Sequence, residues 1–304
     1  VMGISGGLDS SYLAYLGSVK WGLRILAVHI DDGFDTDISI RNIERIAKFP
    51  NFSLQIIKPD ADQFSELTKA YMRSGVPNIA SPQDNVLFSC IYKFMKENKV
   101  HSFLSGGNFA LECILQRGYT HDPYDLRNMR YIHKTFGKGK IDKLPLLSNF
   151  NRDIDRWLLK IESPRPLNFI DYNRNKALNE LSEYCGFEYY GSKHLENDLT
   201  KFIQQYWFYK KFNVDKRTSH LSSMIISGQI TREQAQIEYN KPLYDEKDME
   251  KTIKLILDKI GMTKDEFNKI MQEMPHQHTD YPTSKYDKIM SYFRKFIKIL
   301  IMGK

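Results

Sequence analysis

A chain of 304 residues with 41% hydrophobic and 13% aromatic content can bury one large core or two ordinary ones, which excludes a disordered or low-complexity protein. No apolar run of about eighteen residues occurs, so no membrane-spanning helix is expected, and no secretory signal is visible. The formal charge of +7 and pI near 9.0 suit nucleic acid, an anionic membrane surface or phosphorylated small molecules, and charge does not choose among them. The three cysteines, Cys90, Cys113 and Cys185, form no CxxC and no metal spacing. An odd count of scattered thiols reads as reduced and the chain as cytoplasmic.

Val1, Met2 and Ile4 form a short apolar run that delivers the chain to Ser5-Gly6-Gly7-Leu8-Asp9-Ser10-Ser11. The helix-forming run Tyr12 to Leu16 follows, so the order is strand, glycine turn, helix N-terminus. Glycines let backbone N–H groups close on an oxyanion, the serines add hydroxyl donors, and the helix adds its positive dipole end. Such a turn suits a polyphosphate. A chain that opens inside this turn is expected to have lost sequence ahead of Val1. The turn is not a Walker loop, because GxxxxGK[ST] is absent. Its form, SGGxDS, resembles the PP-loop of ATP pyrophosphatases, which include asparagine, GMP and NAD synthetases and tRNA thiolases. The resemblance implies that ATP is cut between its α and β phosphates and that an acceptor oxygen receives AMP. A carboxylate beside polyphosphate calls for an intervening cation, so Asp9 is expected to hold Mg²⁺, with a dipole-favoured helix acid as the alternative.

Ile25 to Ile30 is nearly all apolar, the pattern of a parallel strand buried on both faces. It ends in Asp31-Asp32-Gly33, and ligands of open α/β sheets sit at such carboxyl ends. Backbone groups of Val28, His29 and Ile30 are placed to read an adenine edge, and Asp31 or Asp32 to touch ribose or metal. Thr36 or Asp37 caps a helix with apolar Ile40, Ile43, Ile46 and Ala47. Ser53–Ile57 is a third strand, Asp60–Arg73 and Gln83–Lys96 are helices, and Val100–Leu104 is a fourth strand. It ends in a second glycine turn, Ser105-Gly106-Gly107-Asn108, expected to wall the α-phosphate and acceptor, with Glu112 one helical turn beyond. This alternation predicts a doubly wound parallel sheet of the α/β class over residues 1–150.

Past about Leu147 the texture changes. Pro145, Pro164 and Pro166 punctuate a linker-like stretch, and residues 151–304 read as a mostly helical substrate or partner domain. Predicted helices are Asn173–Tyr184, Leu195–Phe212, Thr231–Tyr239, Glu246–Ile260, Lys264–Met274 and Tyr286–Met302. Tyr206-Trp207-Phe208-Tyr209 reads as core packing rather than a stacking platform. Two polar clusters, Tyr190–Glu196 and Asp215–Ser223, are candidates for chemistry, with a solvated helix start capped by Ser192 or Thr218 as the alternative for each. Lys193, Lys216 and Arg217 can neutralise phosphate charge, and His194 and His220 can move protons near neutral pH.

Taken together, SGGLDSS at 5–11, HIDDG at 29–33, SGGN at 105–108, DLRN at 125–128, IDYN at 170–173, GSKHLEN at 191–197 and DKRTSHLSSMIISGQITREQA at 215–235 resemble one PP-loop branch. That branch is the N-acetyl sugar amidotransferases of bacterial surface-polysaccharide and flagellin-sugar synthesis, and the likeness runs through nearly the whole chain. Where family members carry GGKH, this chain has Gly191-Ser192-Lys193-His194; a cysteine-rich segment that members carry ahead of the loop is not in this sequence.

The resemblance implies amidine formation. The acetamido oxygen of a nucleotide-linked N-acetyl sugar attacks the α-phosphate, pyrophosphate departs, and ammonia then displaces AMP from the activated carbon. No cysteine sits in a glutaminase pattern, so ammonia is expected from a separate glutaminase subunit, and no nucleic acid is expected as partner. The rival readings are a tRNA-modifying ligase or thiolase and a non-catalytic nucleotide-binding module. The basic, apolar last helix, Tyr286 to Lys304, is read as packing on its own domain or a partner, with contact to an anionic membrane as the alternative.

Overall fold

The computed structural model describes residues 1–116, 118–191, 195–286, 289, 290 and 292. Lys193 and His194, and nearly all of the predicted last helix, lie outside the described residues.

Three strands, β1 (Met2–Gly3), β2 (Ile25–Ile30) and β3 (Phe52–Ile57), pair in that order and all parallel. The apolar runs that predicted them are the ones found. The expected fourth strand is reduced to two parallel bridges, Met2 with Leu104 and Ser102 with Glu162. Leu104 N–H donates to Val1 O at 2.8 Å on one side, while Phe103 and Ser105 donate to Glu162 O and Pro164 O on the other. Alternate residues thus serve two neighbours, as in an interior strand, but the side facing β1 collects too few bonds to extend the ladder. Pro164 falls in the stretch expected to be a linker, and it runs instead beside this segment.

Fourteen α-helical segments are found among the described residues: α1 (Leu8–Tyr15), α2 (Asp37–Ile46), α3 (Ala61–Ser74), α4 (Ser81–Glu97), α5 (Phe109–Glu112), α6 (Leu126–Phe136), α7 (Asn149–Leu158), α8 (Arg174–Cys185), α9 (Asp198–Phe202), α10 (Phe208–Phe212), α11 (Arg217–Ile226), α12 (Arg232–Tyr239), α13 (Glu246–Ile260) and α14 (Lys264–Gln272). Local chemistry sets their starts. Thr36, Asp60, Asn108, Asp125, Asn173 and Thr263 each accept the third residue's N–H with a side-chain oxygen. Gly75, Gly186 and Gly261 close α3, α8 and α13 in the left-handed region that glycine tolerates. The predicted Leu195–Phe212 helix runs without interruption from Asp198 to Phe212, as α9, a π-helical turn at Ile203–Trp207 and α10.

The two faces of β2 feed two cores. Ile25 and Ala27 join Leu13, Ile43, Ile46, Ala177 and Leu181 on one side; Val28 and Ile30 join Phe64, Leu67, Val86, Ile91, Ile256 and Phe267 on the other. Helices therefore cover the sheet on both faces, and neither core stops at residue 150. Trp207 is fully buried and donates its indole N–H to Val76 O at 3.1 Å, and Phe208 is buried beside it, so these two residues pack in the core, whereas Tyr209 is exposed.

Candidate functional site

The glycine turn sits between β1 and α1. Gly6 has φ of 72°, the left-handed region, and a Cβ there would lie 2.4 Å from Ser39 O, so only glycine fits against α2. Asn42 ties the turn down by donating to Gly6 O and to Glu188 O, and accepts from Glu188 N. Glu188 is in turn held by Arg41 and Arg45, whose guanidinium groups bring its carboxyl down to about 2. Inside the turn, Gly7 N–H donates to Ser5 Oγ, and Ser10 and Ser11 hydroxyls donate to Gly7 O. The second turn closes on the first: a Cβ on Gly106 would sit 3.1 Å from Ser10 N and 3.2 Å from the Asp9 carbonyl carbon. The two glycine turns, a hundred residues apart in sequence, are thus packed backbone to backbone.

Two cavities meet at this junction and share Ser5, Ser10 and Glu196 in their walls. The first, about 610 Å³, is lined by Gly7, Leu8, Asp9, Gly106 and Gly107 from the turns, by Glu112, and by Arg174, Tyr189, Tyr190, Arg217 and His220 from the chain beyond residue 150. The second, about 480 Å³, lies at the carboxyl ends of β1 and β2, where Val28, His29, Ile30 and Ser105 face α4 residues such as Gln83 and Leu87, with Lys216 at its edge. Four predicted residues line neither cavity. Gly6 faces α2, Ser11 is buried under Gly7 O, and Asn108 caps α5 through Leu111 N. Asp31 turns outward to Lys58 at 2.8 Å. Its neighbour Asp32 faces the second cavity instead, accepting from Gln83 Nε2 and Asn197 Nδ2. Burial raises the Asp32 carboxyl above its ordinary range, outweighing those hydrogen bonds.

The chain after β2 explains how a distant segment completes the site. Asp35 and Asn197 form an antiparallel bridge, Thr36 N–H donates to Glu196 O, and Asp198 N–H donates to Phe34 O. This pairing brings Glu196 over the loop, where Ser5 Oγ donates to its Oε1 at 3.4 Å. A Cβ on Gly7 would lie 2.4 Å from that same oxygen. Two tyrosines reach the loop from elsewhere. Tyr172, buried against Tyr12, donates its hydroxyl to Asp9 Oδ1, and Tyr190 OH accepts the Leu8 N–H at 2.9 Å. Burial raises both phenols, with the Asp9 carboxylate adding to the rise at Tyr172 and that of Glu196 at Tyr190.

His29 is buried with acceptors at both ring nitrogens: Ile4 O at 2.8 Å from Nδ1 and Asp35 Oδ2 at 3.0 Å from Nε2. A carbonyl and a carboxylate can only accept, so satisfying both requires an imidazolium. Burial opposes that charge, but the hydrogen bond and charge of Asp35 outweigh it and the pKa is raised. The pair clamps the end of β1, one residue before the loop, to the chain after β2.

Lys216 is half-buried, and desolvation lowers its pKa against the pull of the Glu112 carboxylate. Arg217 is engaged by Asp215 at 2.7 Å and by Lys241 O at 2.8 Å, and lies over the Tyr239 ring. Among the described residues, no three His, Cys, Asp or Glu side chains converge as a metal cage. Mg²⁺ needs no such cage: it keeps waters, binds substrate phosphates and takes one or two carboxylates. Asp9 on the cavity wall, with Glu112 and Glu196 lining the same space, fits that pattern. Burial pushes the Cys90 thiol up to about 11 and raises that of Cys185, the opposite of an activated nucleophile. No described helix is long and apolar enough to cross a membrane.

Tyr172 falls in the motif IDYN, Glu196 and Asn197 in GSKHLEN, and Tyr190 opens the polar cluster 190–196, yet nothing in those strings says which residue turns toward the loop. Arg174 and Gln83 carried no signal at all.

No curated protein matches the chain. Residues 196–296 match a family model described as LPS biosynthesis protein WbpG-like, C-terminal domain. The segment that begins at Glu196, the residue that closes over the glycine loop, is therefore similar to the C-terminal domain of WbpG-like proteins of LPS biosynthesis.

Proposed function

We propose that the chain is an ATP-dependent amidotransferase acting on a nucleotide-linked N-acetyl sugar in bacterial surface-polysaccharide synthesis. The observation that carries the reading is the pair of cavities meeting across the Ser5–Ser11 turn, one at the strand ends and one at the helix N-terminus. The match to a WbpG-like domain of LPS biosynthesis supports the sugar context. The alternation of a parallel sheet with helices on both faces, extended by the bridges at Leu104 and Glu162, supports a doubly wound PP-loop fold.

In this reading the adenosine lies along Val28, His29 and Ile30 in the smaller cavity, and the outer phosphates meet the α1 amides in the larger one. Asp9 would hold Mg²⁺, which when bound screens phosphate charge. The acetamido oxygen attacks the α-phosphorus, the bond to pyrophosphate breaks, and the oxygen becomes an adenylate. Ammonia from a separate glutaminase subunit adds to the activated carbon, and AMP leaves with that oxygen, so an acetamidino group forms. Lys216, at the edge of the adenosine cavity, stabilises the α-phosphate as charge develops. Arg217, held by Asp215, shapes the wall beside His220, which takes a proton from the incoming amine. Lys193 and His194 are proposed to act from the segment ahead of Glu196.

Incubation with ATP, Mg²⁺, ammonium and a nucleotide-linked N-acetylhexosamine tests the reading. AMP and pyrophosphate should appear together with a sugar in which NH replaces oxygen. Release of ADP, or turnover on transfer RNA in place of the sugar, sinks it.

A further inference from the structure

The larger cavity contains a cation that the fold does not answer. Arg174, the first residue of α8, is fixed at its backbone by donation from its N–H to Gln229 Oε1 at 2.9 Å. Its guanidinium lies over the ring of Tyr189, 5.1 Å from the centroid, and Nη2 donates to the Tyr189 hydroxyl at 2.7 Å. Nη1 reaches Met224 Sδ at 3.9 Å. Both partners are uncharged, and a thioether is a weak acceptor. The other described cations of that wall are matched: Arg217 by Asp215 at 2.7 Å, Lys241 by Glu238 at 2.6 Å. Among the described residues, no carboxylate forms an ion pair with Arg174.

A half-buried guanidinium has given up water, and its rigid fork of donors matches the paired oxygens of a phosphate or diphosphate. Stacking on Tyr189 holds the plane of that fork in the wall of the cavity that the Leu8–Ser10 turn also lines. The acids there, Asp9, Glu112, Glu196 and the Lys241-paired Glu238, repel a bare anion and welcome one that arrives with its cation. We propose that Arg174 is the diphosphate clamp of this cavity, taking the phosphate oxygens that face away from the metal. The inference rests on the nucleotide reading above and goes beyond it by assigning a residue outside every glycine turn and polar cluster. Two sources share the chemistry: the pyrophosphate end of ATP and the diphosphate bridge of a nucleotide-linked sugar.

Calorimetric titration of the full chain in Mg²⁺ with inorganic pyrophosphate, with UDP and with AMP decides it, using wild type, Arg174→Gln and Arg174→Lys, all checked for an unchanged melting transition. Arg174→Gln should weaken pyrophosphate or UDP by about ten- to a hundredfold and leave AMP unchanged. Arg174→Lys, which keeps the charge and loses the fork, should fall between. Loss confined to pyrophosphate assigns the clamp to ATP; loss confined to UDP assigns it to the acceptor. If both bind Arg174→Gln as they bind wild type, the inference is overturned while the nucleotide reading stands. If wild type binds neither AMP nor pyrophosphate, the nucleotide reading fails and takes the inference with it.

Discussion

At the scale of single residues, the loop is held by groups that never appear in its own motif. Tyr172 donates to Asp9 Oδ1 and so fixes which carboxylate oxygen turns toward the cavity. Tyr172→Phe keeps the ring on Tyr12 and removes only the donor. If Asp9 holds Mg²⁺ as proposed, the Mg²⁺ concentration for half-maximal turnover should then rise about tenfold with the KM for the proposed sugar unchanged, as when a group that orients a metal ligand is removed. An unaltered Mg²⁺ titration reduces Tyr172 to packing. His29 gives a pH dependence. Its pKa is raised in the folded chain, so its stabilisation is complete below the ordinary value of 6.5 and is lost as pH rises through the folded value. Wild type should therefore lose melting temperature above pH 6.5. His29→Gln, with one donor and no charge, should melt lower at pH 6 by about 1–3 kcal/mol of stability and show a flatter curve above it. A parallel pair of curves contradicts the imidazolium. The glycines were legible because a left-handed backbone and a close approach, as at Gly6 and Gly7, restrict residue type. The partners Tyr172, Tyr190 and Arg174 were not, because a tyrosine or arginine is chosen there by position in space alone.

At the scale of elements, apolar patterning read well where one face is buried. Strands β2 and β3 and helices α2, α3, α4, α8, α12, α13 and α14 lie within a few residues of expectation. Helix α7 lies in the stretch that its flanking prolines mark as linker-like; its apolar residues do share one face, but Phe150, Trp157 and Leu158 are exposed rather than packed in a core. Helix α11 opens at a cluster read for its chemistry, with no side-chain cap at Lys216. The pairing of 34–36 with 196–198 has no sequence signal, since single bridges carry no period. It does have an energetic handle. Asn197 caps α9 through Thr200 N and donates to Asp32. Asn197→Ala should cost about 2 kcal/mol, read as a lower urea midpoint with unchanged slope, and should weaken AMP binding as the wall loosens. Unchanged AMP affinity in a destabilised variant separates the wall from the site.

At the scale of the whole molecule, the alternation of strands and helices made the α/β character legible in the first hundred residues. How the later helices sit was not, because helical periodicity marks an apolar face without naming its partner. Both cores draw on both sides of residue 150: Ala177 and Leu181 pack with Leu13, and Ile256 and Phe267 with Phe64 and Leu67. A fragment of residues 1–150 should therefore lack a cooperative melting transition and bind a dye for exposed apolar surface, whereas the full chain melts cooperatively. A sharp calorimetric transition from the fragment contradicts this.

The reach of Glu196 back to Ser5 spans 191 residues. On a ribosome adding about 5–20 residues each second, the glycine turn emerges roughly ten to forty seconds before the acid that closes it. During that interval the nascent chain presents the turn without the wall that Glu196 adds to it. If the turn takes ATP as proposed, the nucleotide meets no complete pocket on the growing polypeptide, so its capture marks the end of synthesis and cannot guide the early stages.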